Sequence, residues 1–264
     1  MTVEGNFSQI HPTAIIHPGA EVAANVVVGP YALIDEGVKI GSGCLIHGHA
    51  HIAPYTAIGE RCEIYSYASV GTPPQDLKFD GRRTETIIGN DNVIREFATI
   101  NRGSVGGEEV TRIGDHGLFM AYSHVAHDCT IGDHVIMANA ATLGGHVIIQ
   151  DHATVGGLSA VHQFVRIGTH AFIGGKTGIV KDIPPYVLVS GHRAKLHGLN
   201  TVGLNRKYFP ESVVRALKEC YRIVFRKEMS IQKALEEAED KLGDVEEVRI
   251  FVDFIRGSQR GITR

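Results

Sequence analysis

Four of the 15 histidines gather in one part of the chain: His124 and His127 in FMAYSHVAHDCTIG, His146 in LGGHVI, and His162 with Gln163 in VHQFVR. An imidazole among polar neighbours titrates near neutral pH and can take a proton from a hydroxyl, so this group is a candidate general base with its supporting cast. Asp128 follows His127 directly, and a carboxylate held against the ring would raise its basicity. Neighbouring side chains on a strand point to opposite faces, so only a chain corner would let that pair meet. Nine others, His11, His17, His47, His49, His51, His116, His134, His152 and His170, fall at outward or turn positions and require no chemistry.

The elements that must position these groups follow from a strict period. An aliphatic residue returns every sixth position from Ile10 through Ile16, Val22, Val28 and onward to Val70. It resumes at Ile88, Ile94 and Ile100, then runs from Ile113 in steps of six to Ile179, with Phe119 and Met137 filling two of the places. A fixed period means that each unit buries its apolar face against its neighbours only, and hexapeptide periods belong to parallel β-helices. The fifth position of each unit is small, as at Ala14, Ala32, Cys44, Thr56 and Ala68, which suits an inside corner of a three-faced prism. Three hexads make one coil, so residues 18 apart stack at about the 4.8 Å strand spacing, as Ile10, Val28, Ile46 and Ile64 would. His146 lies 19 residues past His127, one coil on, and His162 about one coil further. The histidine group therefore lines one patch of wall, with members about 5 to 10 Å apart along the axis.

Glycines at Gly29, Gly41, Gly59, Gly132 and Gly168 are expected at tight corners that need φ > 0. The net charge of −3 argues against nucleic acid as the main ligand. The sequence shows no apolar run of 18 residues and no leader-like start, so a soluble cytoplasmic protein without stable membrane insertion is expected. Cys44 and Cys62 should stack on neighbouring coils as reduced core fillers, not as a disulfide or a metal site.

Two insertions interrupt the period, near 71–87 (with Pro73, Pro74, Asp76 and Lys78) and 101–112. Loops on a rigid scaffold concentrate function, which gives Asp76 and Lys78 weight beyond that of an exposed turn. After Ile179 the pattern ends at Pro184-Pro185, so residues 1–190 are expected to form the β-helix and 191–264 a helical unit that caps it. The first helix should open at Pro210 and carry Val213, Val214, Leu217, Cys220, Tyr221 and Val224 on its apolar face. A second should follow Ser230, and a third should be capped by Asp244 with Glu247 three residues later, ending at Gly257. From Arg206 to Lys227, seven cations stand against two acids, a stripe suited to a phosphorylated ligand or an acidic protein partner, or simply to a solvated helix face.

The segments PPQDLKF, IREFATINRG, SHVAHDCTIG, LGGHV, AVHQF, IGGKTGIVKDIPPY and GLNTVGLNRKYF resemble the UDP-N-acetylglucosamine O-acyltransferases of lipid A biosynthesis over nearly the whole chain. The resemblance implies an all-β solenoid, a left-handed parallel β-helix of hexapeptide repeats with a C-terminal α-helical domain, assembled as a homotrimer with active sites in clefts between prisms. It implies transfer of an (R)-3-hydroxyacyl group from acyl carrier protein to the 3-hydroxyl of UDP-N-acetylglucosamine, with no cofactor and no metal. On the same ground, His127 would be the general base beside Asp128, and the Gly145 N–H would stabilise the oxyanion. Asp76, Lys78, His124, His146, His162 and Gln163 would hold the sugar nucleotide or the acyl-pantetheine arm. Asn200 and Arg206 would reach the nucleotide, and Gly175 and Arg193 would set the length of the acyl pocket.

The chain departs from the family pattern at Asn101 and Arg193, where histidines are familiar, and at Val202, where a glutamate is. The last two bear on donor length and acceptor, so a 3-amino UDP-sugar is the alternative acceptor. The sibling N-acyltransferase usually carries an extra N-terminal domain, for which the nine residues before Ile10 leave no room. A β-helical zinc hydratase needs three imidazoles around a metal, and its familiar pair spacing occurs only as His192 and His197, beyond the repeats. A non-catalytic β-helix would explain the prism but neither the insertions nor the His124, His127 and His146 patch.

Overall fold

A computed structural model describes residues 9–264. Strands of two to five residues build three sheets of 11, 9 and 8 strands, parallel throughout except for the last strand of the 11-stranded sheet, and these form the three faces of a left-handed β-helix. Pairing follows the 18-residue coil, as in Val27↔Leu45 and His124↔Thr142. The insertions lengthen two coils and leave the ladder intact: Glu63 pairs with Val93, 30 residues on, and Val93 with Leu118, 25 on. Strands Ser69–Thr72, Glu85–Ile88, Thr99–Asn101 and Val110–Ile113 extend toward the loops and start them in fixed directions.

The sixth-position residues fill the axis, with Ile34, Ile52, Val70, Ile100, Val125, Leu143, Val161 and Ile179 stacked on one face and buried. The first coil has no neighbour beneath it among the described residues, so Ile10 is 48% exposed and Ile16 and Val22 are half-buried. Cys44 and Cys62 are buried neighbours, and the Cys62 N–H lies 3.3 Å from Cys44 Sγ.

The corners differ from the sequence expectation. Positive φ falls on side-chain-bearing residues, among them Tyr31, His49, Tyr67, Asp128, His134, His146 and His170, all between 55° and 64°. The glycines expected there have ordinary negative φ and are needed for close approach instead. A Cβ on Gly29 would stand 2.5 Å from the Gly48 nitrogen, and one on Gly41 would stand 2.5 Å from the Gly59 oxygen. Gly59, Gly132 and Gly168 are crowded in the same way by the next coil. His, Asp and Asn tolerate the left-handed region better than most residues, which suits the polar corners.

The ladder continues past the prolines within the expected 1–190, and one further strand follows in the stretch expected to be helical. Val187–Ser190 pairs in parallel with Phe172–Ile173 and then forms an antiparallel hairpin with Lys195–Leu199. Four helices follow: α1 (Thr201–Arg206), α2 (Glu211–Arg226), α3 (Ile231–Leu242) and α4 (Glu246–Arg256). The short α1 has no apolar period to announce it and is opened by Asn200, whose side chain accepts from the Gly203 N–H. Ser230 caps α3 as its sequence indicates. Asp244 does not cap α4; Val245 holds that place with no side-chain hydrogen bond. Val214, Leu217, Cys220, Val224, Phe251 and Val252 join the prism's apolar core in one cluster. The Arg166 guanidinium stacks on Phe254 and donates to the Gly257 carbonyl, and buried Asp182 accepts from Arg166 N–H and Ser258 Oγ–H, so the helices close the end of the solenoid.

Candidate active site

His127 follows strand His124–Val125 at a corner of the prism, and Asp128 is the left-handed corner residue itself, with φ 56°. That turn does what a strand cannot: it swings the carboxylate back to its neighbour, leaving 2.7 Å between His127 Nδ1 and Asp128 Oδ2. An ionised carboxylate only accepts, so Nδ1 carries a proton, and in the neutral ring Nε2 is the acceptor. The Ser104 N–H donates to the same Oδ2 at 2.9 Å, and the Asp128 N–H donates to Thr111 Oγ1 at 2.9 Å. Burial alone would raise the Asp128 carboxyl, whose side chain is 2% exposed. The hydrogen bonds from His127 and Ser104, with the His146 and His127 imidazoles nearby, outweigh burial and hold it below the usual carboxylate range.

Gly145 lies against the ring. A Cβ there would be 2.7 Å from both Cε1 and Nε2 of His127, so only glycine lets the backbone come this close. The residue is buried, yet its N–H donates to no acceptor among the described residues. His146, the next corner residue, stacks on Phe164 and sets its ring perpendicular to His127 with centroids 5.1 Å apart. Its pKa is pushed down by burial. His124, bonded at 2.7 Å to Thr99 Oγ1, is also pushed down, by burial and then by His127. Both rings are therefore neutral hydrogen-bonding groups at pH 7.

A cleft of about 620 Å³ runs past these groups, walled by Asn101, His124, His127, Gly145 and Gln163 and by Gln75 of the first insertion. Asp76 stands behind it, with Oδ2 accepting from Ser104 Oγ–H at 2.7 Å and Oδ1 accepting from the Lys78 N–H. Lys78 is exposed on the same loop, and Leu77 beside it is fully exposed. His162 lies on the outer surface, with Nδ1 3.2 Å from the Arg260 guanidinium. Asn200 caps α1 and donates to the His170 carbonyl, while Arg206 is exposed at the end of α1. Gly175 is exposed, and Arg193 lines a separate cavity of about 590 Å³ with Lys181 and Arg264. Within one chain, then, His124, His127, Asp128, Gly145, His146, Gln163 and Asp76 come together, whereas Asn200, Arg206, Gly175 and Arg193 line no part of that cleft. Part of the basic stripe is neutralised: Arg215, Arg222 and Lys227 pair with Glu211, Glu219 and Glu237.

Donor atoms of His127, Asp128 and His146 lie within 4.8 Å of one another, close enough to consider a metal. Two of the three are already engaged with each other in the 2.7 Å bond, which suits a histidine–carboxylate dyad. The sequence did not single out Ser104, Thr111, Gln75 or Gly107. All lie in or beside the insertions, where the six-residue register that locates a side chain is lost.

Polar groups gathered at one corner of a left-handed β-helix, beneath two inserted loops, mark a repeat-built enzyme with its candidate site on the prism wall. Solved structures of UDP-N-acetylglucosamine O-acyltransferase from Moraxella catarrhalis (41% identity, TM-score 0.94, covering 97% of this chain and 99% of that one) and of the Arabidopsis UDP-N-acetylglucosamine acyltransferase (38%, 0.85, 97% and 100%) share the whole architecture. The acyl-[acyl-carrier-protein]–UDP-N-acetylglucosamine O-acyltransferase of Anaeromyxobacter dehalogenans is 51% identical over 255 residues, 97% of this chain and 99% of its own. That of Paraburkholderia phymatum is 50% identical over 261 residues. Residues 182–263 match the family model described as UDP-N-acetylglucosamine O-acyltransferase, domain 2. The chain belongs to the UDP-N-acetylglucosamine O-acyltransferase family.

Proposed function

We propose that the protein transfers an (R)-3-hydroxyacyl group from acyl carrier protein to the 3-hydroxyl of UDP-N-acetylglucosamine, with His127 as general base. The observation that carries this reading is the His127–Asp128 bond beside a buried, unengaged Gly145 N–H. His127 Nε2 takes the hydroxyl proton as the sugar oxygen attacks the thioester carbonyl. The Gly145 N–H stabilises the oxyanion of the tetrahedral intermediate, which collapses by breaking the C–S bond. The departing pantetheine thiolate recovers the proton from His127, and Asp128 stabilises the transient imidazolium. Asp76, Lys78, His124, His146 and Gln163 hold the two substrates around this centre, with His162 at its margin.

A homotrimer explains the residues that one chain leaves apart. Asn200 and Arg206 would reach the nucleotide in a neighbour's cleft, and the exposed Leu77 loop would cover the join. Gly175 and Arg193 would bound the acyl groove, with each buried CH₂ worth about 0.8 kcal/mol. Among the described residues no helix is long and apolar enough to cross a membrane, and the proposed setting is the cytoplasm. The test is a mass spectrum of the product from purified protein, UDP-N-acetylglucosamine and a mixed acyl carrier pool. An O-acylated UDP-sugar supports the reading, and an unmodified UDP-sugar overturns it. Co-expression of His127→Ala with Arg206→Ala should restore activity in mixed oligomers if the site is shared; its absence there, with each parent folded, would place the site within one chain.

A further inference from the structure

One side chain joins both insertions to the dyad. Ser104, in the second loop, is wholly buried. Its N–H reaches Asp128 Oδ2 at 2.9 Å, and its hydroxyl reaches Asp76 Oδ2 in the first loop at 2.7 Å. A hydroxyl has one proton to give, and here the Asp76 carboxylate takes it. Other contacts lock the loops at this spot: Gly103 N–H donates to the Glu85 carbonyl, Arg102 N–H to the Thr72 carbonyl, and Arg82 pairs with Glu109. The loop also lies directly on the dyad, since a Cβ on Gly107 would stand 2.9 Å from Asp128 Oδ1 and 2.7 Å from His146 Cε1.

We infer that Ser104 is a positioning residue that ties the acceptor-holding carboxylate Asp76 to the carboxylate behind the base, so that Asp76, Ser104, Asp128 and His127 act as one unit. The inference rests on the acyltransferase reading of the same cleft. Asp128 can orient His127 only while its own rotation is fixed, and the Ser104 N–H is the loop contact that fixes it. The hydroxyl end of the same residue is held only by Asp76, a group expected to touch the sugar. Acceptor engagement at Asp76 therefore bears on the dyad through a single residue.

Ser104→Ala keeps the backbone donor to Asp128 and the other loop contacts but removes the hydroxyl that holds the Asp76 carboxylate. Turnover should fall about tenfold to a hundredfold, as expected for a lost hydrogen bond to a charged group, with a rise in KM for UDP-N-acetylglucosamine. In an Asp76→Ala background the same substitution should cost less than about threefold, because the partner is already gone. A pH profile adds a readout that packing alone would not move. Asp76 lies below the usual carboxylate range because of the Lys78 N–H and then the Ser104 hydroxyl, so its acid limb should shift upward in Ser104→Ala. Ser104→Cys preserves volume with a weak donor and should fall in the same direction should the alanine variant not fold. Equal losses in both backgrounds with an unmoved acid limb, or activity within twofold of wild type, would overturn the inference. A wild type that forms no acylated UDP-sugar would instead overturn the functional reading on which it rests.

Discussion

Two corners of the same prism carry histidines in the same left-handed backbone conformation, and the proposed chemistry assigns proton transfer to only one of them. Along one corner, His116, His134, His152 and His170 stack face to face with centroids 4.5 to 4.7 Å apart. Along the other, His146 stacks on Phe164 in the same way, but the next place in the column is Asp128. A carboxylate cannot continue a ring stack, so it turns to the adjacent His127, and the inserted loop fixes it there through Ser104. The stacked corner shows the cost of burying rings without such a partner. His170 is pushed down to about 4, by burial first and then by the charges of His152 and Lys207, so it stays neutral. Both columns carry imidazoles at left-handed corners; what differs is that in one of them a corner carboxylate, fixed by the inserted loop, holds the imidazole one residue before it.

The strongest way to break this comparison is Asp128→Asn, which keeps the shape but can present an N–H to His127 and force the wrong tautomer. Turnover should fall about 10²- to 10⁴-fold with the fold retained, as read by steady-state rates and circular dichroism. Gly145→Ala comes next, because its Cβ would strike the ring at 2.7 Å. A displacement on the order of 1 Å should cost about 10²-fold in turnover, and a rate near wild type would mean that the ring has room to move. A third test addresses the stacked corner. His170 has a folded pKa below its unfolded value, so its neutral form supports the fold above about pH 6.5 and that support is lost as pH falls toward 4. His170→Gln should flatten the pH dependence of Tm in that window, and an unchanged slope would assign it to other groups. The smallest effect belongs to His134→Gln, in the middle of the stack, which should leave turnover within about twofold of wild type. A large loss there would mean that the two corners are not chemically distinct.

Much of the molecule was legible because a solenoid makes contacts at one fixed separation. Once 18 residues are known to make a coil, Val125, Leu143 and Val161 must stack, and His127 and His146 must be neighbours. The same rule fails wherever the period breaks. Ser104 meets Asp128 at a separation of 24 and Asp76 at 28, set by loop lengths that no repeat announces. The glycine expectation failed because crowding by the next coil and the demand for positive φ fall at different places in the hexad, and only coordinates separate them. Asp244 has the composition of a cap, but the chain turns one residue later. The hairpin and α1 lack both the six-residue and the 3.6-residue period, so 187–206 carried no signal of their own.

The central claim is that one imidazole at one corner performs the chemistry. The direct test is the rate of acyl transfer by His127→Ala, with the acylated UDP-sugar counted by mass spectrometry and UDP-sugar binding measured on the same sample. The account predicts a loss of about 10²- to 10⁴-fold in turnover, with folding and binding close to those of the unaltered protein. Turnover within a few-fold of the unaltered protein would contradict it.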